Sequence, residues 1–477
     1  MCWRQLPIAV VAWGALVAAG CTSTGKVQQE LAGRMGAGDY AGAIEIVESQ
    51  KNGAFDGRNE LLYYLELGML LHVDGRYEES NAAFERAKRI GDALYTRSLT
   101  NEGFSLLTND YALDYAGENF ERTLIHLFAA LNYLQLGERD SALVEIRQVG
   151  EYLRKLQVDS TNENVYQEDA FARYLSALLY ESGGELDSAF VDYKKAALAY
   201  RDYESEFGVA PPDSLFPNAG RVASRLGSWA TQELARLDGA ASPRVLPPGT
   251  GEVVLLHYNG LAPIKGQDKY SIPFSEAWLF YGALQAAVPP EDRASVSRAV
   301  ALSSQIRGID LVSVAFPKFV DRPYSIERMQ PSADRALEIT RPELVEDIGA
   351  IAKKDLADRI VRIRTKTIAR AAIKYALQKG AEEAMRQASD DDVSALLVAA
   401  TRISGNIARY ATEQADLRSW STLPDEIWMA SLVLPEGSHD LSVDFLNAQQ
   451  VVVESREIPA VEVARGQRRF VIVRTVR

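Results

Sequence analysis

The chain has 477 residues, 47% hydrophobic and 25% charged, which is enough apolar sequence for large cores and a length that fits two or three domains. Its formal charge of −13 sets 52 Lys and Arg against 65 Asp and Glu, and argues against a general nucleic-acid binder, because phosphate must be met by a cationic surface. The cysteines are Cys2 and Cys21 and the histidines are His72, His126, His257 and His439, so disulfides and thiolate sites beyond residue 21 are excluded, as are helix-borne HExxH pairs.

In chain order, Arg4 precedes an uncharged apolar run, Leu6 to Ala19, of signal-peptide length and short of the roughly 20 residues that span a bilayer. Small residues, Ala18-Ala19-Gly20, stand directly before Cys21, and Thr22-Ser-Thr-Gly25 is a polar stretch. This resembles a bacterial lipobox, with Ala18 where Leu is commonest. The resemblance implies a lipoprotein signal peptide over 1–20, a lipidated (palmitate-bearing) Cys21 and a tether over 21–25. The lack of Asp after the cysteine points to an outer-membrane anchor facing the periplasm. Each acyl chain adds about 0.8 kcal/mol of membrane affinity per buried CH₂. The competing expectation is ordinary cleavage near Ala19 and a secreted protein.

From 26 to 237 a helix–turn–helix pattern recurs. Its clearest copy has Leu67-Gly68, Leu71, Gly75, Tyr77, Ser80, Phe84 and Ala87. Others have Ala130, Tyr133, Gly137, Ala142 and Ile146; Ala177, Tyr180, Gly184, Ala189, Tyr193 and Ala196; and, more weakly, Leu31, Gly38, Ala43 and Val47. The offsets match the tetratricopeptide pattern, with an insertion near 92–118. Gly36-Ala-Gly38-Asp-Tyr-Ala41 mimics a dinucleotide fingerprint, but no βαβ pattern surrounds it. Stacked helix pairs present a concave surface suited to a protein partner. Tyr111, Tyr115, Arg122, Tyr193, Lys194 and Lys195 are the candidate partner-binding residues.

A Pro/Gly/Ser-rich linker covers 238–251, and an α+β domain is expected over 252–477. Val253–Leu256 and Ile309–Phe316 read as strands. Thr340-Arg-Pro-Glu343 reads as a capping box opening a helical hairpin over about 341–415, up to about 70 Å long, with a basic face of Arg359, Arg362 and Lys366 that reads first as solvated. Strands are expected at Ile427–Leu434, His439–Phe445, Gln450–Glu454 and Arg469–Arg474, within 427–474. Leu434-Pro-Glu-Gly-Ser-His-Asp-Leu-Ser-Val443 resembles the hairpin of small β-sandwich modules, which the strands near 253 and 309 could complete. The fold class is therefore α+β: an N-terminal α-helical TPR-like repeat domain, then an α/β domain combining a β-sandwich-like sheet with a long helical hairpin.

His257, Tyr258, Asn259 and Lys265 form the best polar cluster after a strand, and a turn with solvated lysines is the expectation there. His439 with Asp440 is expected in an exposed turn, and Trp420 is expected to be buried. No nucleophile elbow, P-loop, kinase motif or metal spacing occurs, so no catalytic residue, cofactor or metal is assigned. Tyr115-Ala-Gly-Glu-Asn-Phe-Glu-Arg122, Ala130-Leu-Asn-Tyr-Leu134, Ala142-Leu-Val-Glu-Ile-Arg147 and Ala415-Asp-Leu-Arg-Ser-Trp-Ser-Thr-Leu-Pro424 resemble an uncharacterised family of large bacterial tetratricopeptide-repeat outer-membrane lipoproteins. That resemblance implies a lipid-anchored cell-envelope scaffold that binds a protein partner through its repeats and supports assembly or secretion of an envelope component. The alternative expectation is a cell-wall or glycan-binding or glycan-active protein with a site in the C-terminal domain.

Overall fold

The computed structural model describes residues 18–100, 113–159, 168–237, 242–283, 293–294, 296–298, 311–386 and 414–477. Gly38, Gly75, Gly137 and Gly184 sit at φ of +73°, +80°, +78° and +76°, a left-handed conformation that a side chain disfavours. At each of them one helix ends and its partner begins: α1 (Ala18–Gly36) with α2 (Tyr40–Ser49), α3 (Glu60–Val73) with α4 (Tyr77–Thr100), α5 (Asn119–Gln135) with α6 (Arg139–Asp159), and α7 (Ala170–Ser182) with α8 (Leu186–Phe207). Helices α9 (Leu215–Leu226) and α10 (Ser228–Ala235) follow. Within the second pair a Cβ on Gly68 would stand 2.4 Å from the Phe84 ring, and Ser80 Oγ donates to Gly68 O at 2.7 Å. The small residues of the repeat are thus contact points between paired helices. Successive pairs also pack on one another, so the N-terminal half is a tetratricopeptide-like stack.

The second half is built on two facing sheets. One contains β10 (Arg468–Arg474), β1 (Thr250–Asn259), β7 (Glu426–Pro435) and β5 (Glu338–Ile339) in that order, with β6 (Glu343–Asp347) also on β7. The other is β4 (Arg328–Ala333), β8 (Gly437–Leu446) and β9 (Val452–Val463). Strand β1 runs parallel to β10 and antiparallel to β7. Its alternate residues explain its unbroken apolar run. Val253 and Leu255 enter the core between the sheets with Leu432, Val443 and Phe445. Val254, Leu256 and Tyr258 enter the core shared with the helices, beside Ile427, Met429 and Phe470. A strand covered on both faces has no solvent face to keep polar. The α+β class is therefore as the sequence reads, with one core continuous across both halves.

Four expectations need correction. The Thr340 capping box opens no helix: Thr340 Oγ1 accepts from Ser431 N at 2.8 Å, and Glu343–Asp347 pairs with β7. The helix, α11 (Ile348–Arg386), begins later, where Asp347 Oδ1 accepts from Ala350 N at 2.7 Å. At 39 residues it spans about 58 Å. The strand near 309–316 is β3 (Leu311–Val320), and it pairs with β2 (Ile264–Pro273) in a separate ribbon against α11, outside the sandwich. Pro435-Glu-Gly437 does not close a hairpin: β7 and β8 lie in different sheets, so this turn arches between them. His439, expected in solvent, is buried and its Nε2 lies 2.8 Å from Pro435 O. The expected second arm of the helical hairpin falls outside the described residues, as do residues 1–17 of the signal segment. Cys21 lies within the span of α1.

Candidate functional site

The inner face of the helical stack is where sequence reasoning puts a partner, and most of the candidate side chains are not available there. Tyr111 is outside the described residues. Tyr115 is buried, donates to Glu121 Oε2 at 2.5 Å and carries the Arg418 guanidinium over its ring. Arg122 pairs with Asp92 at 2.9 Å and lies over the rings of Tyr152 and Tyr95. Tyr193 is buried and donates to Glu181 at 2.7 Å. Lys194 is held by Glu233 at 2.5 Å, and Lys195 is exposed. Tyr115, Arg122 and Tyr193 are thus corrected from groove residues to packing residues: Arg122 and Tyr193 turn between helices, and Tyr115, just before α5, is held under Arg418 and against Glu121.

The stack holds its own chain instead. The irregular segment Gln414–Asp425, between α11 and β7, lies along the first helices of the pairs. Glu66 on α3 accepts from Ser421 N (2.9 Å), Ser421 Oγ (2.7 Å), Thr422 N (3.0 Å) and Thr422 Oγ1 (2.7 Å). Glu121 on α5 accepts from Trp420 N at 2.7 Å. Arg418 Nη1 donates to Leu113 O at 3.0 Å and Asn59 Oδ1 at 3.2 Å. The Trp420 ring is buried edge-on against Phe84 and Phe128, with centroids 5.9 and 6.1 Å away. The pairing of this segment with Glu66 and Glu121 was not foreseen. The only sequence signal is two acids on otherwise apolar helix faces.

Charges bind the seam further. Burial alone would raise Glu118, but Arg359 and Lys265 outweigh it and hold its carboxyl well below the usual range. Burial, with the Glu118 charge beside it, pushes Glu121 up to about 7. Burial raises Glu66 as well, against the opposing pull of Ser421, Thr422 and Arg322. Arg359 also pairs with Asp355, so this one member of the expected basic face of α11 is committed to the seam, while Arg362 is exposed.

The cluster His257, Tyr258, Asn259 and Lys265 converges only in part, His257 and Asn259 meeting at the Thr475 hydroxyl, and its expected solvated turn is corrected: all four side chains are buried. Neighbouring strand residues point to opposite faces. His257 faces the sandwich, 4.6 Å from the Phe445 ring, with Nε2 at 2.7 Å from Thr475 Oγ1. Burial, with Arg474 nearby, lowers it to about 3. Tyr258 faces the helices, where a hydrogen-bonded chain connects the halves. Its hydroxyl lies 3.1 Å from His72 Nε2, His72 Nδ1 lies 2.6 Å from Asn132 Oδ1, and Asn132 Nδ2 donates to Ser80 Oγ at 2.8 Å. Burial lowers His72 to about 4, so it is neutral at neutral pH and can bridge as donor and acceptor. Asn259 donates to Ile326 O at 2.8 Å, and Lys265 pairs with Glu118. These groups fasten elements together. Among the described residues no group of three or more His, Cys, Asp or Glu is placed to hold a metal, and no helix is long and apolar enough to cross a membrane.

No protein-family model matches the sequence, and no curated protein matches it either. Among solved structures, the chain aligns with a Rap protein complexed with competence and sporulation factor at 10% identity and a TM-score of 0.28, over 80% of this chain and 75% of that one. It aligns with a tetratricopeptide repeat protein from Parabacteroides merdae at 13% identity and a TM-score of 0.19, over 60% of this chain and 94% of that one.

Proposed function

We propose that this chain is a lipid-anchored scaffold of the cell envelope that works by holding a protein partner rather than by catalysis. The observation that carries the reading is the grip of the helical stack on Arg418–Thr422. Carboxylates on the first helices take backbone N–H groups and hydroxyls of an extended segment, which is the chemistry of polypeptide recognition. In this protein the grip is intramolecular. It mounts the αβ half on the stack and leaves the outer face of the β4-β8-β9 sheet and the sandwich's edges for a partner. The apolar run Leu6–Ala19 before Cys21 supports export and lipid anchoring, and the lack of Asp after Cys21 favours the outer membrane.

The test joins two readouts on the native protein in intact cells: mass spectrometry of the N-terminal peptide, and photo-crosslinking from exposed positions on the sandwich. Acyl chains on Cys21 and a discrete crosslinked polypeptide are the expected result. A free thiol at Cys21, or an absence of crosslinks from every position tried, overturns the reading.

A further inference from the structure

The open edge of the larger sheet is β10, which pairs with β1 and with no other strand among the described residues. In a parallel ladder alternate residues aim both backbone groups at the same neighbour. The bonds from Glu252 N to Gln467 O and from Thr475 N to Tyr258 O fix the phase. Residues 469, 471 and 473 therefore face β1, and Arg468, Phe470, Ile472 and Arg474 turn their N–H and C=O groups outward. Gln135 Nε2, from α5, donates to Phe470 O at 3.2 Å, so one outward acceptor is already met by a side chain.

This edge is the floor of a trench. Hollows of about 600, 480 and 300 Å³ follow one another along it. Tyr77, Gln135 and Arg139 of the helical stack form one wall, and Ile458 and Glu462 of β9 form the other. Free edges invite pairing unless they are guarded. The other outer strands of the sandwich are guarded: β4 carries Pro331, β9 carries Pro459 and a left-handed Ala460 beside a register shift, β5 is two residues long, and β6 is five residues long with a register shift of its own. The run Phe470-Val-Ile-Val473 has no proline, charge or bulge.

We propose that the trench receives an extended segment of a partner polypeptide, which adds to β10 as a further strand. Besides water, a second extended backbone is the group that matches a series of outward N–H and C=O groups at two-residue spacing. The walls flank the edge on both sides, so an occupant of β10 lies between them. Arg469 is exposed in the trench with no ion pair among the described residues, so the segment carries an acidic residue opposite it. This deepens the scaffold reading and rests on it, by naming where the partner binds.

The test pans a phage-displayed random dodecapeptide library on the purified full chain and titrates the enriched peptides by fluorescence anisotropy. Ile472→Pro removes an outward N–H and no bond to β1, but it also trims a side chain partly packed on the helical core, so a parental circular-dichroism spectrum with a modestly lower melting temperature is expected, and Ile472→Ala is the packing control. The expected result is peptides with an acid among β-branched residues, bound at least tenfold more weakly by Ile472→Pro. Gln135→Ala, which frees the Phe470 carbonyl, tightens binding a few-fold, and Arg469→Glu shifts selection to basic peptides. These two variants carry the test if Ile472→Pro unfolds. Full affinity in all three variants, no enriched peptide, or a dimer of the chain that Ile472→Pro abolishes overturns the proposal. A crosslinked envelope partner that persists in the Ile472→Pro variant removes the trench from the scaffold reading and leaves that reading standing.

Discussion

At the scale of single residues, the seam turns on carboxylates that carry both hydrogen bonds and a charge penalty. Glu66 faces four donors, and the nearby Arg322 cation is itself lowered to about 10, chiefly by burial. Glu66→Gln puts an amide N–H against donors and removes the anion beside Arg322. A loss of about 1–3 kcal/mol in urea unfolding is expected, in line with leaving buried donors unsatisfied. Glu121 gives a pH signature. Its carboxyl moves from an ordinary 4.5 to about 7 on folding. Between those values the folded protein keeps a proton that the unfolded chain has released, so stability from this group falls as the pH rises through the window and is flat above it. The span corresponds to about 3 kcal/mol. Glu121→Gln is expected to flatten the pH dependence of unfolding between 4.5 and 7 relative to the parent, and an unchanged slope would refute the assignment.

At the scale of elements, the helix pairs show what local pattern can encode. Gly68 touches Phe84 within one pair, and Gly75 turns the chain between them, so contact and turn are both short-range and readable in order along the sequence. Gly68→Ala pushes a methyl into the Phe84 ring, and overpacking of this kind costs about 1–3 kcal/mol. A lower thermal midpoint is expected, with Phe84→Leu restoring part of it by making room. The strands were read less well for the opposite reason. Arg328–Ala333 contains Pro331, and Glu343–Asp347 is mixed in polarity, so neither has a pattern of its own and each is defined by its long-range partner, β8 and β7 respectively. Thr340-Arg-Pro-Glu343 has the letters of a helix start, but the Thr340 hydroxyl is taken by Ser431, ninety-one residues away in sequence. The cap is Asp347, a single acid that no motif singles out. The same limit applies to the candidate site. Residue types at His257–Asn259 were legible, but their directions depended on helices on one face and a second sheet on the other, so Tyr258 turns to the helices while His257 and Asn259 turn to the sandwich side and meet at Thr475.

At the scale of the whole molecule, the linker between the halves does not separate two independent bodies. One apolar core runs from Val27 through the helix pairs to Val254, Leu256, Trp420 and Phe470. Across it a row of alternating charges connects Glu181, Arg468, Glu252, Arg244 and Glu338, which lie on α7, β10, β1, the linker and β5. Glu338 is the exposed end of the row and the other four side chains are buried, so removing one of those four leaves its neighbours uncompensated, and neither half is self-sufficient in charge or in apolar cover. Trp420 is the side chain to test this with, because its ring sits in the helical core and its chain belongs to the αβ half. If the halves fold as one unit, helix loss followed by circular dichroism and sandwich opening followed by hydrogen exchange in β1 share a single urea midpoint in the parent. Trp420→Ala then moves both midpoints down together, by the equivalent of about 3–5 kcal/mol. If the halves were autonomous, the substitution would separate the curves and leave exchange in β1 at its parental midpoint. Joint displacement is the outcome the shared core requires.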